Sequence, residues 1–490
     1  MPVRRSEMRL LPDPKRVISR PFLPGGESFP DGRTRVERIL ARVLALPEVT
    51  VREQLGQTIE AFASRHWDFT TVLEQAYSRV QRHLPDPESL SVERRRLIGA
   101  YFTQEYAIDA AALSNPSLVR APNQDGAEDG ALRVIMSLRS IGEGHLSSIQ
   151  LRSGVIRADG QLHLDETTGH ARTATHRPPM YEKLLFRLKL TELDSYADTA
   201  ERVLDRLPEY FRTEQLHAAI QEVEQSTAHD QGAAQVIRTI HWLASSNYEC
   251  TFHADSSVSE RVIFPSSPTE SQGMEDARFV RFSYEDGSAT YFATYTAYDG
   301  YRILPQLIET RDFLSFRVST LNGSAAVNKG IALFPRKVRG CFVALGRLDN
   351  ESNQLIRSDN VRFWHERQPL QGPCEPWELI QLGNCGSPIE TDAGWLVLTH
   401  GVGPMRRYCL GALLLDLEDP SRVIGRLRAP LLEPAEDERN GYVPNVVYSC
   451  GGVVHAGWLV LPYGFSDVGT RIATWRLEDV LNALTSAGTA

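Results

Sequence analysis

Gly273-Met274-Glu275-Asp276-Ala277-Arg278 leads directly into the run Phe279 to Phe282, and the rest of the chain is organised around this junction. It sets two acids and an arginine side by side where the chain enters an apolar, β-rich half. A second polar cluster, Tyr295-Thr296-Ala297-Tyr298-Asp299-Gly300, closes the hairpin-like segment that follows. From Glu249 onward, short runs of β-branched and aromatic residues alternate with Gly, Asp and Asn turns. The runs 291–296, 314–318, 341–345, 395–399, 409–415, 446–448, 458–462 and 472–476 read as strands. So many short antiparallel strands predict a mainly β fold: a sandwich, a barrel or a propeller. No strict repeat chooses among them. Carboxylates at successive strand ends fit a site that cleaves glycosidic bonds.

Upstream, residues 1–33 are rich in Pro, Arg and Gly and read as an extended arm. From Thr34 the pattern turns helical, with Val36, Ile39, Leu40, Val43 and Leu44 at helical spacing. A second helix is expected over 51–83, broken by Pro85 and Pro87, and a third from Ser91 to about Leu113. Strands are expected at 131–138, 146–152 and 161–164. Between about 183 and 246, Val203, Leu207, Phe211, Leu216, Ile220, Ile237, Ile240 and Leu243 return to helical spacing and predict a helical insertion. The expected organisation is an arm at 1–33, an α-helical extension at 34–112 and a β domain at 113–485 that carries the insertion.

A chain of 490 residues, 42% hydrophobic and 23% charged, has the composition of a soluble globular protein with room for a large core. Its formal net charge of -9 argues against a general nucleic-acid binder. The run Arg94-Arg95-Arg96 reads as a solvated helix face. No stretch approaches the ~20 apolar residues that span a bilayer, and residues 1–20 lack the apolar core of a secretory signal. The six cysteines have neither CxxC spacing nor His partners, which predicts reduced thiols in a cytoplasmic protein. With no ligand-spaced His/Asp/Glu cluster and no Gly-rich nucleotide loop, neither a metal nor an organic cofactor is expected.

Several phrases of the β half, in order, resemble glycoside hydrolase family 130, the mannoside phosphorylases and β-mannosidases. They are Gly-Met-Glu-Asp-Ala-Arg at 273–278, Tyr-Thr-Ala-Tyr-Asp-Gly at 295–300, Ala-Leu-Phe-Pro-Arg-Lys at 332–337 and Gly-Ser-Pro-Ile-Glu-Thr-Asp-Ala-Gly-Trp at 386–395. Thr-His-Gly at 399–401, Asp-Leu-Glu-Asp-Pro at 416–420, Val-Ile-Gly-Arg at 423–426, Val-Pro-Asn-Val-Val at 443–447 and Tyr-Gly-Phe-Ser-Asp at 463–467 continue the series. Over roughly 113–485 the resemblance implies a five-bladed β-propeller with its site on the central axis. The N-terminal helices and the insertion fall outside the shared core; their implied role is contact within a homo-oligomer.

Inverting cleavage of a glycoside needs an acid for the leaving oxygen and a nucleophile on the opposite face. A hydrolase activates water with a second carboxylate; a phosphorylase uses anionic phosphate held by cations. The resemblance makes Asp276 the single general acid, its proton passing through the sugar's 3-hydroxyl. A buried carboxyl near Glu275 is expected to have a raised pKa. Arg347 and His400 match phosphate-holding positions, Lys329 stands for an arginine, and Gln381 stands where many members have lysine. Glu275, Arg278, Tyr298, Asp299 and Asp467 match sugar-binding positions, as do Asn115, Arg139 and His145 from the first β segment. The implied reaction is inverting phosphorolysis of β-mannosides, β-1,2-linked manno-oligosaccharides above all, to α-mannose 1-phosphate and a shortened acceptor. Phosphate enters as co-substrate. Hydrolysis by water, with Glu390 or Glu275 as base, and a non-catalytic carbohydrate-binding propeller are the alternatives.

Overall fold

The computed structural model describes residues 2–25, 29, 32–226 and 230–486. The chain divides into two compact units, one made of Met1–Pro12, Ala111–Thr167 and Ala174–Ala490, the other of Asp13–Ala110 and Thr168–Thr173.

The smaller unit is mainly helical. Thr34 opens the helix Arg35–Leu44 with a reciprocal cap: its hydroxyl accepts from Glu37 N at 3.3 Å, and the Glu37 carboxylate accepts from Thr34 N at 2.7 Å. The single helix expected over 51–83 is two, Glu48–Phe62 and Phe69–Val80. The break falls where the Asp68 carboxylate accepts from Thr71 N at 3.0 Å and starts a new helix. The third helix, Val92–Tyr101, stops short of Leu113 because Thr103–Ala107 pairs with Val17–Pro21 as a two-stranded ribbon. Arg94 also departs from expectation. It is buried, its Nη1 donates to Val43 O at 2.6 Å and its Nη2 to Leu46 O at 2.7 Å, and its Nε donates to Glu48 Oε1 at 2.9 Å. It captures carbonyls left open at a helix end.

The larger unit is mainly β. Among the described residues it holds five antiparallel sheets of four or more strands, each built on a path of four, and a two-stranded pair, Tyr181–Glu182 with Tyr210–Phe211; the second sheet continues through Tyr248–Thr251 to Thr175–Arg177. The first runs Ala112–Arg120, Leu132–Ile141, Ser147–Ile156, Arg261–Ile263; the second Met274–Ser283, Ala289–Tyr298, Ile303–Thr310, Ser315–Thr320. The third runs Ala332–Leu333, Phe342–Gly346, Asn353–Ser358, Glu366–Gln371; the fourth Gln381–Asn384, Gly394–Val402, Tyr408–Leu415, Val423–Arg426. The fifth runs Val447–Tyr448, Trp458–Phe465, Gly469–Arg476 and closes with the N-terminal strand Arg4–Leu10. Residues 4–10, expected in an arm, thus form an outer strand of this chain's own sheet, with Met8 and Leu10 packed on the core. Positions 1, 26–28, 30 and 31 of the expected arm lie outside the described residues.

Alternating side chains give each sheet two apolar faces, and each face is shared with a neighbouring sheet. Ile135 and Ile149 of the first sheet pack with Phe279 and Ile308 of the second; Phe282 and Phe292 of the second with Phe342 and Ile356 of the third. Val343 and Leu355 of the third pack with Trp395 and Leu413 of the fourth; Leu398 and Leu410 of the fourth with Leu459 and Ala473 of the fifth. Trp458 and Ile472 of the fifth then pack with Val134 and Met136 of the first. Each such buried side chain contributes about 1.5–3 kcal/mol. A cavity of about 350 Å³ is lined from all five sheets or their adjoining loops, by Val119, Phe279, Pro335, Pro388 and Val453 among others.

The interval 183–246 carries four helices, Lys183–Glu192, Asp198–Asp205, Thr213–Ser226 and Gln231–Ser245, around Phe186, Val203, Phe211, Leu216, Ile220 and Ile240. No helix among the described residues is long and apolar enough to cross a membrane.

Candidate active site

Two strands, each at the end of its sheet, are bent where the candidate site residues gather. In Met274–Ser283 the register to the next strand shifts between Glu275, opposite Thr296, and Arg278, opposite Thr294. Asp276 and Ala277 therefore face one residue, which is a β-bulge. In Ala112–Arg120 the same shift falls between Ser114 and Ser117, at Asn115 and Pro116. Asp276 and Asn115 both adopt left-handed backbone, φ 57° and 50°, a strained conformation held by the surrounding sheet. The bulges turn the two side chains together, and Asn115 Nδ2 donates to Asp276 Oδ1 at 2.5 Å. Gly273, at φ 115°, lets the strand start here, since a Cβ would stand 2.3 Å from Ser147 Oγ.

Around this pair the five sheets contribute cations and their partners. Glu275 accepts from Arg139 Nη2 at 2.9 Å and from Lys329 Nζ at 2.5 Å. Arg278 is buried; its Nη1 donates to Asn384 Oδ1 at 2.6 Å and its Nη2 to the Tyr448 hydroxyl at 2.7 Å. The Tyr448 hydroxyl in turn donates to Asp276 Oδ2 at 3.5 Å. The backbone carbonyl of Asn384 lies 3.2 Å from His400 Nδ1, and Arg347 Nη1 lies 3.1 Å from His400 Nε2. Gln381 Nε2 donates to the Tyr408 hydroxyl at 3.4 Å, and the Tyr408 ring stacks on His400 with centroids 6.2 Å apart. The Nε atoms of Arg139, Arg278 and Arg347 are buried and have no hydrogen-bond partner. Four cations, Arg139, Arg278, Lys329 and Arg347, in one cluster with two acids suit an anion.

The electrostatics correct one expectation. Burial pushes the Asp276 carboxyl up, but Arg139, Arg278 and Lys329, with the Asn115 hydrogen bond, outweigh it and hold its pKa below the ordinary value. The expected rise is absent because the cations surround the acid itself. Burial, then Arg347 and Arg278, push His400 well below the usual imidazole range, so in this arrangement it is not a cation. Asp467 is shifted the other way: burial raises it, Arg139 opposes, and Asp276 and Glu275 add to the rise.

Asp276, Glu275, Arg278, Asn115, Arg139, Lys329, Arg347 and His400 are thus linked by direct contacts or through Asn384 and Tyr448, and Asp467 lies within their field. Tyr298 and Asp299 stand apart: Asp299 Oδ1 accepts from Tyr301 N and Arg302 N at 2.9 and 2.6 Å, closing its own hairpin turn. That turn is tied to the site's strand, since Tyr298 N donates to Gly273 O at 3.2 Å. His145, at φ 62°, stacks on Tyr442 with centroids 5.6 Å apart. Arg336 pairs with the exposed Glu390 at 2.7 Å, and neither joins the cluster. Asn384 and Tyr448 were not singled out from sequence, although they adjoin the quoted motifs at 386–395 and 443–447.

A family model described as β-1,4-mannooligosaccharide phosphorylase matches residues 241–486. The chain belongs to glycoside hydrolase family 130. The Gly273–Arg278 junction and the third and fourth sheets fall inside that match, as do the second sheet apart from Thr175–Arg177 and the fifth apart from Arg4–Leu10; of the first sheet only Arg261–Ile263 does. Within family 130 it is 35% identical over 218 residues to a 1,2-β-oligomannan phosphorylase of Thermoanaerobacter sp. strain X514, covering 43% of this chain and 71% of that protein. It is 31% identical over 230 residues to a β-1,2-mannobiose phosphorylase of Listeria innocua, covering 45% of this chain and 63% of that protein, less than two thirds of its length. The solved Listeria innocua β-1,2-mannobiose phosphorylase, in complex with β-1,2-mannobiose, superposes with a TM-score of 0.46 at 20% identity, over 77% of this chain and 93% of that one.

Proposed function

We propose that this member of family 130 is an inverting β-mannoside phosphorylase acting on β-1,2-linked manno-oligosaccharides. Phosphate attacks the anomeric carbon, the bond from that carbon to the bridging oxygen breaks, and α-mannose 1-phosphate leaves with a shortened acceptor. One observation carries this reading: four cations, Arg139, Arg278, Lys329 and Arg347, gather in the cluster that holds the two acids Asp276 and Glu275. Neither carboxylate considered as a base for water is available. Glu275 is held between Arg139 and Lys329, and Glu390 sits outside the cluster against Arg336. The names of the relatives support the β-1,2 linkage.

In this scheme Asp276 gives its proton to the leaving oxygen, by way of the sugar's 3-hydroxyl as the resemblance implies. The empty site favours its carboxylate. A phosphate dianion among the same cations offsets their pull and raises the proton affinity of Asp276, so that the acid takes up its proton as the nucleophile arrives. Asn115 holds one oxygen of that carboxyl, while Tyr298, Asp299, His145 and Asp467 are assigned to sugar hydroxyls. The five sheets are read as blades of one propeller, supported by the cycle of shared cores and by a cluster drawn from every sheet. A homo-oligomer with contacts through the helical additions, and a cytoplasmic location, complete the reading. Hydrolysis retains one observation in its favour, the neutral Gln381 beside Tyr408.

Incubation with β-1,2-mannobiose and longer β-mannosides, with and without inorganic phosphate, tests the proposal. Mannose 1-phosphate formed only with phosphate is expected; free mannose released equally fast without it would overturn the reading in favour of hydrolysis.

A further inference from the structure

His400 is pinned on every side. Gly383 packs so closely that a Cβ there would stand 2.5 Å from the imidazole Cε1, Tyr408 stacks on the ring, and Tyr448 meets it edge-on at 4.9 Å. Its two nitrogens have partners that leave one tautomer. A carbonyl oxygen only accepts, so Nδ1, 3.2 Å from Asn384 O, carries the hydrogen. A guanidinium only donates, so Nε2, 3.1 Å from Arg347 Nη1, is the acceptor. The groups facing the ring are Arg347, Arg278, the Cys385 thiol at 3.7 Å, Tyr408 and Tyr448; none of them is a carboxylate that would favour an imidazolium.

Were an anion to take the Arg347 Nη1 donor that now faces His400 Nε2, that nitrogen would be left a buried acceptor without a donor, which is costly. We infer that His400 Nε2 accepts a hydrogen bond from the hydroxyl of bound hydrogen phosphate, so that the site selects oxyanions that carry a hydrogen over equally charged ones that do not. This rests on the phosphorylase reading and specifies its co-substrate. The proton count agrees: glycoside plus hydrogen phosphate dianion gives sugar phosphate dianion plus alcohol. Asp276 supplies the proton on the leaving oxygen, and the hydrogen carried in by phosphate restores the balance.

Calorimetric titration of the whole protein at pH 8 with phosphate, arsenate, sulfate and monofluorophosphate separates the cases, since all four are dianions there and only the first two carry a hydrogen. Phosphate and arsenate are expected to bind with similar constants. Sulfate and monofluorophosphate are expected to bind at least about tenfold more weakly, the factor that one hydrogen bond to a charged group supplies. In His400→Leu the gap is expected to close to about threefold or less, with all four weakened; the comparison on the unaltered protein stands whether or not this variant folds. Sulfate or monofluorophosphate binding as tightly as phosphate would overturn the inference while leaving phosphorolysis intact. Turnover without any dependence on phosphate would remove the phosphorylase reading, and the inference with it.

Discussion

Glu270 and Asp276 lie six residues apart on one stretch of chain and receive opposite kinds of partner. Glu270 is fully buried. Its Oε1 accepts from the hydroxyls of Tyr248 and Tyr295 at 3.0 and 2.5 Å, and its Oε2 from the backbone N–H of Ser266 and Ser267 at 2.9 and 3.1 Å. Every donor is neutral and fixed, so the carboxylate is satisfied and nothing around it is left to react. Asp276 sits on strained backbone among cations, several with donors that no protein group meets. Saturation by neutral donors makes a structural carboxylate, whereas surrounding cations with open donors make one whose state an incoming anion can change.

The contrast breaks most sharply under substitution. Asp276→Asn is expected to lower phosphorolysis by about 10²–10⁴-fold, the usual contribution of a general acid, with little change in melting temperature. The check is mannose 1-phosphate release set beside a thermal melt. Glu270→Ala is expected to do the reverse. It leaves two buried hydroxyls and two N–H groups without their acceptor and should cost roughly 3–5 kcal/mol of stability, read from denaturant unfolding. If Glu270→Ala were fully stable but inactive, the division of roles between the two carboxylates would be wrong.

Much of the fold was legible beforehand. The short strands of 291–476 and the helical interval 183–246 follow from local periodicity, which a chain carries in every window. What was not legible depends on partners far along the chain. Arg94 reads as a surface charge until the carbonyls of Val43 and Leu46 are brought to it. Tyr448 looks like one more aromatic in an apolar strand, and its partner Arg278 is 170 residues away; Asn384 meets the same arginine across 106. The direction of the Asp276 shift lies beyond the local sequence for the same reason. Burial is foreseeable from one stretch, but the field of Arg139 and Lys329 comes from other sheets.

Two smaller effects sharpen the comparison. With its pKa held below the ordinary value, Asp276 is unprotonated in the empty protein at neutral pH. Phosphate binding at pH 8, where phosphate is already the dianion, should therefore take up a fraction of a proton. Calorimetry in buffers of different ionisation enthalpy reads this as a buffer-dependent heat, and identical heats in all buffers would contradict it. Arg336→Ala is expected to leave the KM for phosphate within about twofold, because an exposed pair such as Arg336–Glu390 contributes only about 0–1 kcal/mol and lies outside the cluster. Initial rates at varied phosphate check this.

The most direct measurement is the rate of β-1,2-mannobiose cleavage against phosphate concentration, in the unaltered protein and in Arg347→Ala. A rate that is zero without phosphate and saturates with it is expected. In Arg347→Ala the KM for phosphate should rise by about tenfold or more, while that for the mannoside changes little. Cleavage that proceeds at the same rate without phosphate, or an Arg347→Ala variant with an unaltered phosphate KM, would contradict the assignment of this cation cluster to phosphate.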